Sequence, residues 1–168
     1  MFYRPDPAAD PASVQEQAWL DQVIAAAARN VAAGGGPFGA LVVRAGEVVA
    51  VGVNEVTRSL DPTAHAEVVA IRAACRALGD FRLTGCVLVS SCEPCPLCLS
   101  AALWARLDRV VYAADRHDAA ASGFDDRAFY DVFATPRAEW PLPVDQVPHA
   151  GRATPFTAWR EHTERVAY

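Results

Sequence analysis

The chain has 168 residues, 52% of them hydrophobic and 21% charged, with a formal net charge of −5, which suits one compact domain. An acidic chain with no basic stripe is a poor nucleic-acid binder, because several phosphates would have to be neutralised. All fifteen cationic side chains are arginine, so there is no lysine for a Schiff base or a phosphate-binding loop. No apolar run approaches the roughly 20 residues of a membrane-spanning helix.

Residues 1–12 hold three prolines and read as a loose lead-in. They lack the apolar stretch of a secretion signal, which makes a cytoplasmic protein the expectation. Val14 to Val31 is Ala-rich, with Trp19, Leu20, Val23, Ile24 and Ala27 at helical spacing. It stops at Gly34-Gly35-Gly36-Pro37. Ala40 to Arg44 and Glu47 to Val53 are β-branched runs joined by Ala45-Gly46, a hairpin signal. Ala64 to Leu78 reads as a second helix closed by Gly79, and Val87 to Ser90 as a buried strand. Pro96 to Arg106 predicts a third helix and Arg109 to Ala113 a fourth strand. Arg127 to Phe133 predicts a short helix, Pro136 to Pro148 a Pro-rich loop, and Phe156 to Arg165 a last amphipathic helix. Strands alternating with helices predict a single α/β domain over residues 1–168, a sandwich around a mixed sheet.

Gly34-Gly35-Gly36-Pro37-Phe38-Gly39 matches the GxGxxG dinucleotide pattern in letters only. That fingerprint follows a strand and opens a helix, whereas here a helix precedes and a strand follows. A turn leading into a strand is the expected role.

Two segments carry chemistry: Pro62-Thr63-Ala64-His65-Ala66-Glu67 and Glu93-Pro94-Cys95-Pro96-Leu97-Cys98. Their His-x-Glu and Pro-Cys-x-x-Cys forms together are the recognised signature of zinc-dependent nucleobase deaminases. Cys95 and Cys98, three apart in the first turn of a helix, put both sulfurs on one face. A helix N-terminus favours the thiolate form that zinc binds. With His65, they make three protein ligands for one Zn2+ and leave a fourth position open, the mark of a catalytic site. A water placed there has its pKa lowered from about 16 towards 7. Glu67 is then the base that takes its proton and passes it to the ring nitrogen and the leaving amine. A closed zinc knuckle or a redox pair is the competing reading. The knuckle needs Cys92 as a fourth ligand across Pro94, and neither alternative calls for a His-x-Glu segment. Cys75, Cys86 and Cys92 read as buried small hydrophobes. His117, His149 and His162 have no ligand spacing, and Trp104 reads as core.

With these residues in view, the chain resembles the cytidine deaminase superfamily and, within it, the bacterial guanine deaminases. The resemblance extends over Pro37-Phe38-Gly39-Ala40, Asn54, Asp61 to Val68, Ser91 to Cys98, Trp104-Ala105-Arg106, Gly123-Phe124-Asp125-Asp126 and Pro155 to Arg160, with Tyr168 as the final residue. It implies a three-layer α/β/α sandwich with a central mixed five-stranded sheet, and deamination of guanine to xanthine and ammonia. It implies substrate contacts from Phe38, Asn54, Ala66, Asp126 and Tyr168: Asn54 on the polar edge of the ring, Phe38 against the purine. Asp126 would accept from guanine N–H groups and relay a proton to ammonia. It further implies a homodimer whose tail, about residues 150–168, crosses over so that Tyr168 closes the partner's pocket. A helix N-cap for Asp126, a turn residue for Asn54 and a frayed end for Tyr168 are the plainer alternatives. Guanosine, cytosine or an amino-triazine would suit the same zinc chemistry. A tRNA-editing deaminase fits the acidic charge poorly, and a non-enzymatic zinc module leaves Glu67 without a purpose.

Overall fold

A computed structural model describes residues 14–167, in two compact units that meet between Arg127 and Ala128. In the first unit, α1 (Val14–Ala32) buries Trp19, Leu20, Val23, Ala26 and Ala27, the i, i+1, i+4, i+7, i+8 pattern of one helix face. Strands β1 (Gly39–Arg44) and β2 (Glu47–Val53) form the expected hairpin. Its two turn residues, Ala45 and Gly46, both take positive φ, at 50° and 86°, as the tight hairpin turns require. After α2 (Val56–Ser59) come α3 (Ala66–Leu78), β3 (Cys86–Cys92), α4 (Pro96–Trp104), β4 (Arg109–Ala114) and α5 (Arg116–Ala121).

The sheet order is β2-β1-β3-β4, with β3 and β4 parallel and the other pairs antiparallel. Side chains of β1 alternate between its faces. Leu41 and Val43 pack with Val89 under Trp19, Leu20 and Val23 of α1. On the opposite face Ala40, Val42 and Leu88 meet Ala70, Ile71 and Ala74 of α3 and Ala102 of α4. Helices therefore cover both faces, and the α/β/α layering is as expected. Against β2, α3 rides unusually close: a Cβ on Gly52 would collide with the Ala66 carbonyl and the Ala70 amide.

Four strands, not five, make up the sheet among the described residues. The long stretch after α5 carries Pro136, Pro141, Pro143 and Pro148, and a proline has no N–H to give to a strand ladder. Trp104, expected in the core, is 62% exposed. The buried face of the α4 region is Cys98, Ala102 and Ala105, at i, i+4 and i+7, and Trp104 at i+6 falls off that stripe.

The second unit contains most of α6 (Arg127–Val132), 3-10 turns at Arg137–Glu139 and Ala150–Ala153, and α7 (Thr154–Glu161). Helix α7 starts earlier than the apolar pattern suggested because Pro155 sits in its first turn, where a missing N–H costs nothing. Phe133 and Trp140 meet edge to face at 5.6 Å, and Trp140 Nε1 donates to the Thr135 carbonyl at 3.2 Å.

Candidate active site

Two helix starts converge on one point. His65 is the N-cap of α3 and Cys95 the N-cap of α4, both with extended backbone. The turn before α3 is fixed locally: Asp61 Oδ1 accepts from the Thr63 amide at 2.8 Å and from the Thr63 hydroxyl at 2.7 Å. The turn before α4 is fixed by proline, with Pro94 fully buried and Pro96 opening the helix. Glu93 adds a longer tie, its Oε2 accepting from the Arg116 backbone amide at 3.1 Å and from Arg116 Nε at 3.0 Å. That pair spans 23 residues of sequence, so no local spacing announces it.

His65 Nδ1 lies 3.5 Å from Cys95 Sγ and 3.4 Å from Cys98 Sγ, and the two sulfurs are 3.6 Å apart. Tetrahedral zinc with ordinary bond lengths sets about 3.8 Å between sulfurs and about 3.6 Å from sulfur to nitrogen. The three ligand atoms thus already have the spacing of three corners of a zinc tetrahedron. Among the described residues this is the one His/Cys/Asp/Glu group able to hold a metal ion. The hydrogen bond from Cys98, helped by His65, lowers the Cys95 thiol to about 4, whereas bonding to Cys95 and burial push Cys98 up. Its hydrogen bond with Cys95 raises His65. A metal binds these atoms only once they are deprotonated, so its binding would release protons.

Glu67, in the first turn of α3, is buried and reaches the cluster through Cys98. Ser90 Oγ on β3 donates to its Oε1 at 3.4 Å. Burial raises the Glu67 carboxyl above its ordinary value, which suits a group that must both accept and return a proton. Asp126 is half-buried, and its carboxyl is raised by burial and then by the negative charge of Cys95. It also acts on His65. Beside it, the Arg127 amide donates to Asp125 Oδ1 at 3.2 Å.

Asn54 is buried where β2 ends. Its Oδ1 accepts from the Val56 amide at 3.3 Å, which makes Nδ2 the remaining donor of that side chain. Phe38 is half-buried and meets Phe124 edge to face at 5.0 Å, so the turn before β1 and the Gly123–Asp126 segment come together. Ala66 has its methyl in the core beneath β2, which leaves its backbone as the part able to meet a ligand. Tyr168 lies outside the described residues. Cys92 is buried, its thiol 3.6 Å from the Asp115 carbonyl, and it does not join the metal group. Cys86 is buried as expected and Cys75 only half so.

Residues 13–114 match the family described as the cytidine and deoxycytidylate deaminase zinc-binding region. The chain belongs to that family. It is also 46% identical over 156 residues to guanine deaminase of Bacillus subtilis, covering 92% of this chain and all of that one. The X-ray structure of the Bacillus subtilis enzyme superposes with a TM-score of 0.87 at 47% identity, over 90% of this chain and 98% of that one. A guanine deaminase from Nitrosomonas europaea gives a TM-score of 0.64 at 34% identity, over 70% of this chain and 68% of its own. A tRNA-specific adenosine deaminase of Aquifex aeolicus is 42% identical over 78 residues, 46% of this chain and 52% of that protein. Within the family chain, Ser90, Arg116 and Asn30 escaped the motif reading because each acts through a long-range hydrogen bond. Helix α5 did have a local signal: Asp115 and Asp118 form a reciprocal capping box.

Proposed function

We propose that the protein is a guanine deaminase, adding water across guanine to release xanthine and ammonia. The observation that carries the reading is the trio His65, Cys95 and Cys98 at zinc spacing with the buried Glu67 beside it. The choice of guanine is supported by how far the likeness extends. The match to the Bacillus subtilis enzyme covers 92% of the chain, whereas that to the tRNA deaminase stays within 46% of it.

In this reading His65, Cys95 and Cys98 hold one Zn2+, which supplies Lewis-acid activation of water at about neutral pH. Glu67 accepts a proton from the attacking water and delivers it to the neighbouring ring nitrogen. The water oxygen bonds to the purine carbon that carries the exocyclic amine. The new hydroxyl then gives up its remaining proton, which Glu67 and Asp126 pass to the leaving amine, and the carbon–nitrogen bond breaks to leave the xanthine carbonyl and ammonia. Asn54 donates from Nδ2 to a ring acceptor, and Phe38 packs against the purine. Ala66 contributes a backbone N–H from the first turn of α3, where helix amides have no intrahelical partner. Asp126 accepts from guanine N–H groups, a match that an adenine or cytosine edge does not offer equally.

The same reading makes the protein a cytoplasmic homodimer with a swapped tail, in which Tyr168 closes the partner's pocket. Its support is exposed apolar side chains: Leu97 and Leu103 on α4 are 43% and 57% exposed, surface that a second subunit could cover. No described helix is long and apolar enough to cross a membrane.

An ammonia-release screen across guanine, guanosine, cytosine, adenine and ammeline tests the substrate. Guanine should be turned over fastest. A faster rate on any of the others would overturn the choice while leaving the zinc chemistry intact.

A further inference from the structure

Asn30 lies near the end of α1 and is 5% exposed. Both hydrogens of its Nδ2 are used, one to the Gly36 carbonyl and one to the Asn54 carbonyl, each at 2.8 Å. The Asn30 backbone carbonyl accepts from the Gly35 amide at 2.9 Å, and the Asn54 backbone N–H donates to the Phe38 carbonyl at 3.0 Å. One side chain thus fastens the turn that leads into β1 to the residue that leaves β2. Those two segments carry Phe38 and Asn54.

The clearance there is small. A Cβ on Gly36 would lie 2.8 Å from Asn54 Oδ1, inside van der Waals contact. The Asn54 side chain is therefore held between the glycine turn on one side and the Val56 amide, at 3.3 Å, on the other. Closing the C-terminus of α1 would need only donors to the carbonyls of its own last turn. The Asn54 carbonyl is 24 residues away, so capping alone does not explain the second bond.

We propose that Asn30 is a positioning residue for purine recognition, acting through Asn54 and Phe38 rather than on the substrate. The Gly34–Gly39 run, which imitates a phosphate loop in letters, gives the clamp room to close. This rests on the assignment of Asn54 as a guanine contact.

Asn30→Asp preserves the shape and removes both donors. Zinc content and Tm are measured on the same preparations as the kinetics. KM for guanine should rise about tenfold or more while kcat falls less, the pattern of lost binding. Activity lost in step with zinc or folded fraction, with KM unchanged, would overturn the proposal. Asn30→Ala, which adds no charge, takes over where the aspartate blocks folding. Failure of both to fold would make Asn30 a determinant of the fold alone, and that also overturns it. A double-mutant cycle then asks whether the effect runs through Asn54. Asn30→Asp should raise KM less when added to Asn54→Ala than it does alone, the remainder being the Phe38 route, and full additivity would contradict the clamp. An unchanged KM in Asn54→Ala would refute the guanine contact itself, a separate outcome that removes the proposal's premise.

Discussion

The two units of the chain bury their apolar side chains to very different degrees. Every core residue named by burial lies between Trp19 and Ala105, in the first unit. In the second, Phe129, Phe133, Leu142, Val147 and Phe156 are all more than 60% exposed. The first unit has a sheet covered on both faces, so each strand contributes to a shared interior. Among its described residues the second has short helices and prolines and no strand of its own. A segment that keeps this much hydrophobic surface while contributing little interior is better suited to association than to holding up its own fold.

The sharpest separation of the two should come from Cys95→Ala, which removes a proposed metal ligand from the first unit. Zinc and all activity should be lost together, read by metal analysis and ammonia release. Zinc kept at full occupancy would contradict the ligand assignment. Truncation after Ala150 probes the other side: turnover should be abolished with zinc retained in the folded fraction. Mixing that truncated chain with Glu67→Gln should restore some activity if tails are exchanged between subunits. No recovery in proven mixed dimers would exclude the exchange. Glu67→Gln alone should bind zinc normally and slow turnover at least about a hundredfold, the lower scale for losing an acid–base group. Near-normal turnover would remove Glu67 from the mechanism. Smaller still are the stability contrasts. Leu88→Ala in the sheet should cost about 2–5 kcal/mol in denaturant unfolding. Leu142→Ala, 70% exposed in the second unit, should stay within about 0.5 kcal/mol in the free monomer. Equal costs at the two sites would mean that both units share a core.

The sequence made the zinc centre plain because its ligands are local: His65 with Glu67, and Cys95 with Cys98, are each set by a helix start. Helices α1 and α3 were readable from apolar periodicity, and the hairpin from Ala45-Gly46. What escaped detection depends on residues far apart. The Asn30 and Glu93–Arg116 ties bridge 24 and 23 residues, and no window of sequence contains both ends. Trp104 misled because α4 is apolar on every side, so hydrophobicity alone could not say which side faces inward. The expected fifth strand came from likeness to a family rather than from this chain's own prolines.

Gly52 has a consequence for how this protein can vary. With the Ala66 carbonyl and Ala70 amide lying where its Cβ would stand, the obstacle is rigid main chain and not a side chain that can swing away. Because Ala66 and Glu67 share that first turn of α3, even alanine at position 52 must lever Glu67, the proposed base, away from the strand that ends at Val53. In a saturation library selected for growth on guanine as nitrogen source, position 52 should return glycine almost alone. Gly46, where an added Cβ meets nothing within 4 Å, should return asparagine and aspartate as well, since they tolerate its positive φ. Of two glycines six residues apart, one is then a spacer whose absent side chain sets how closely α3 approaches β2, and the other a replaceable bend.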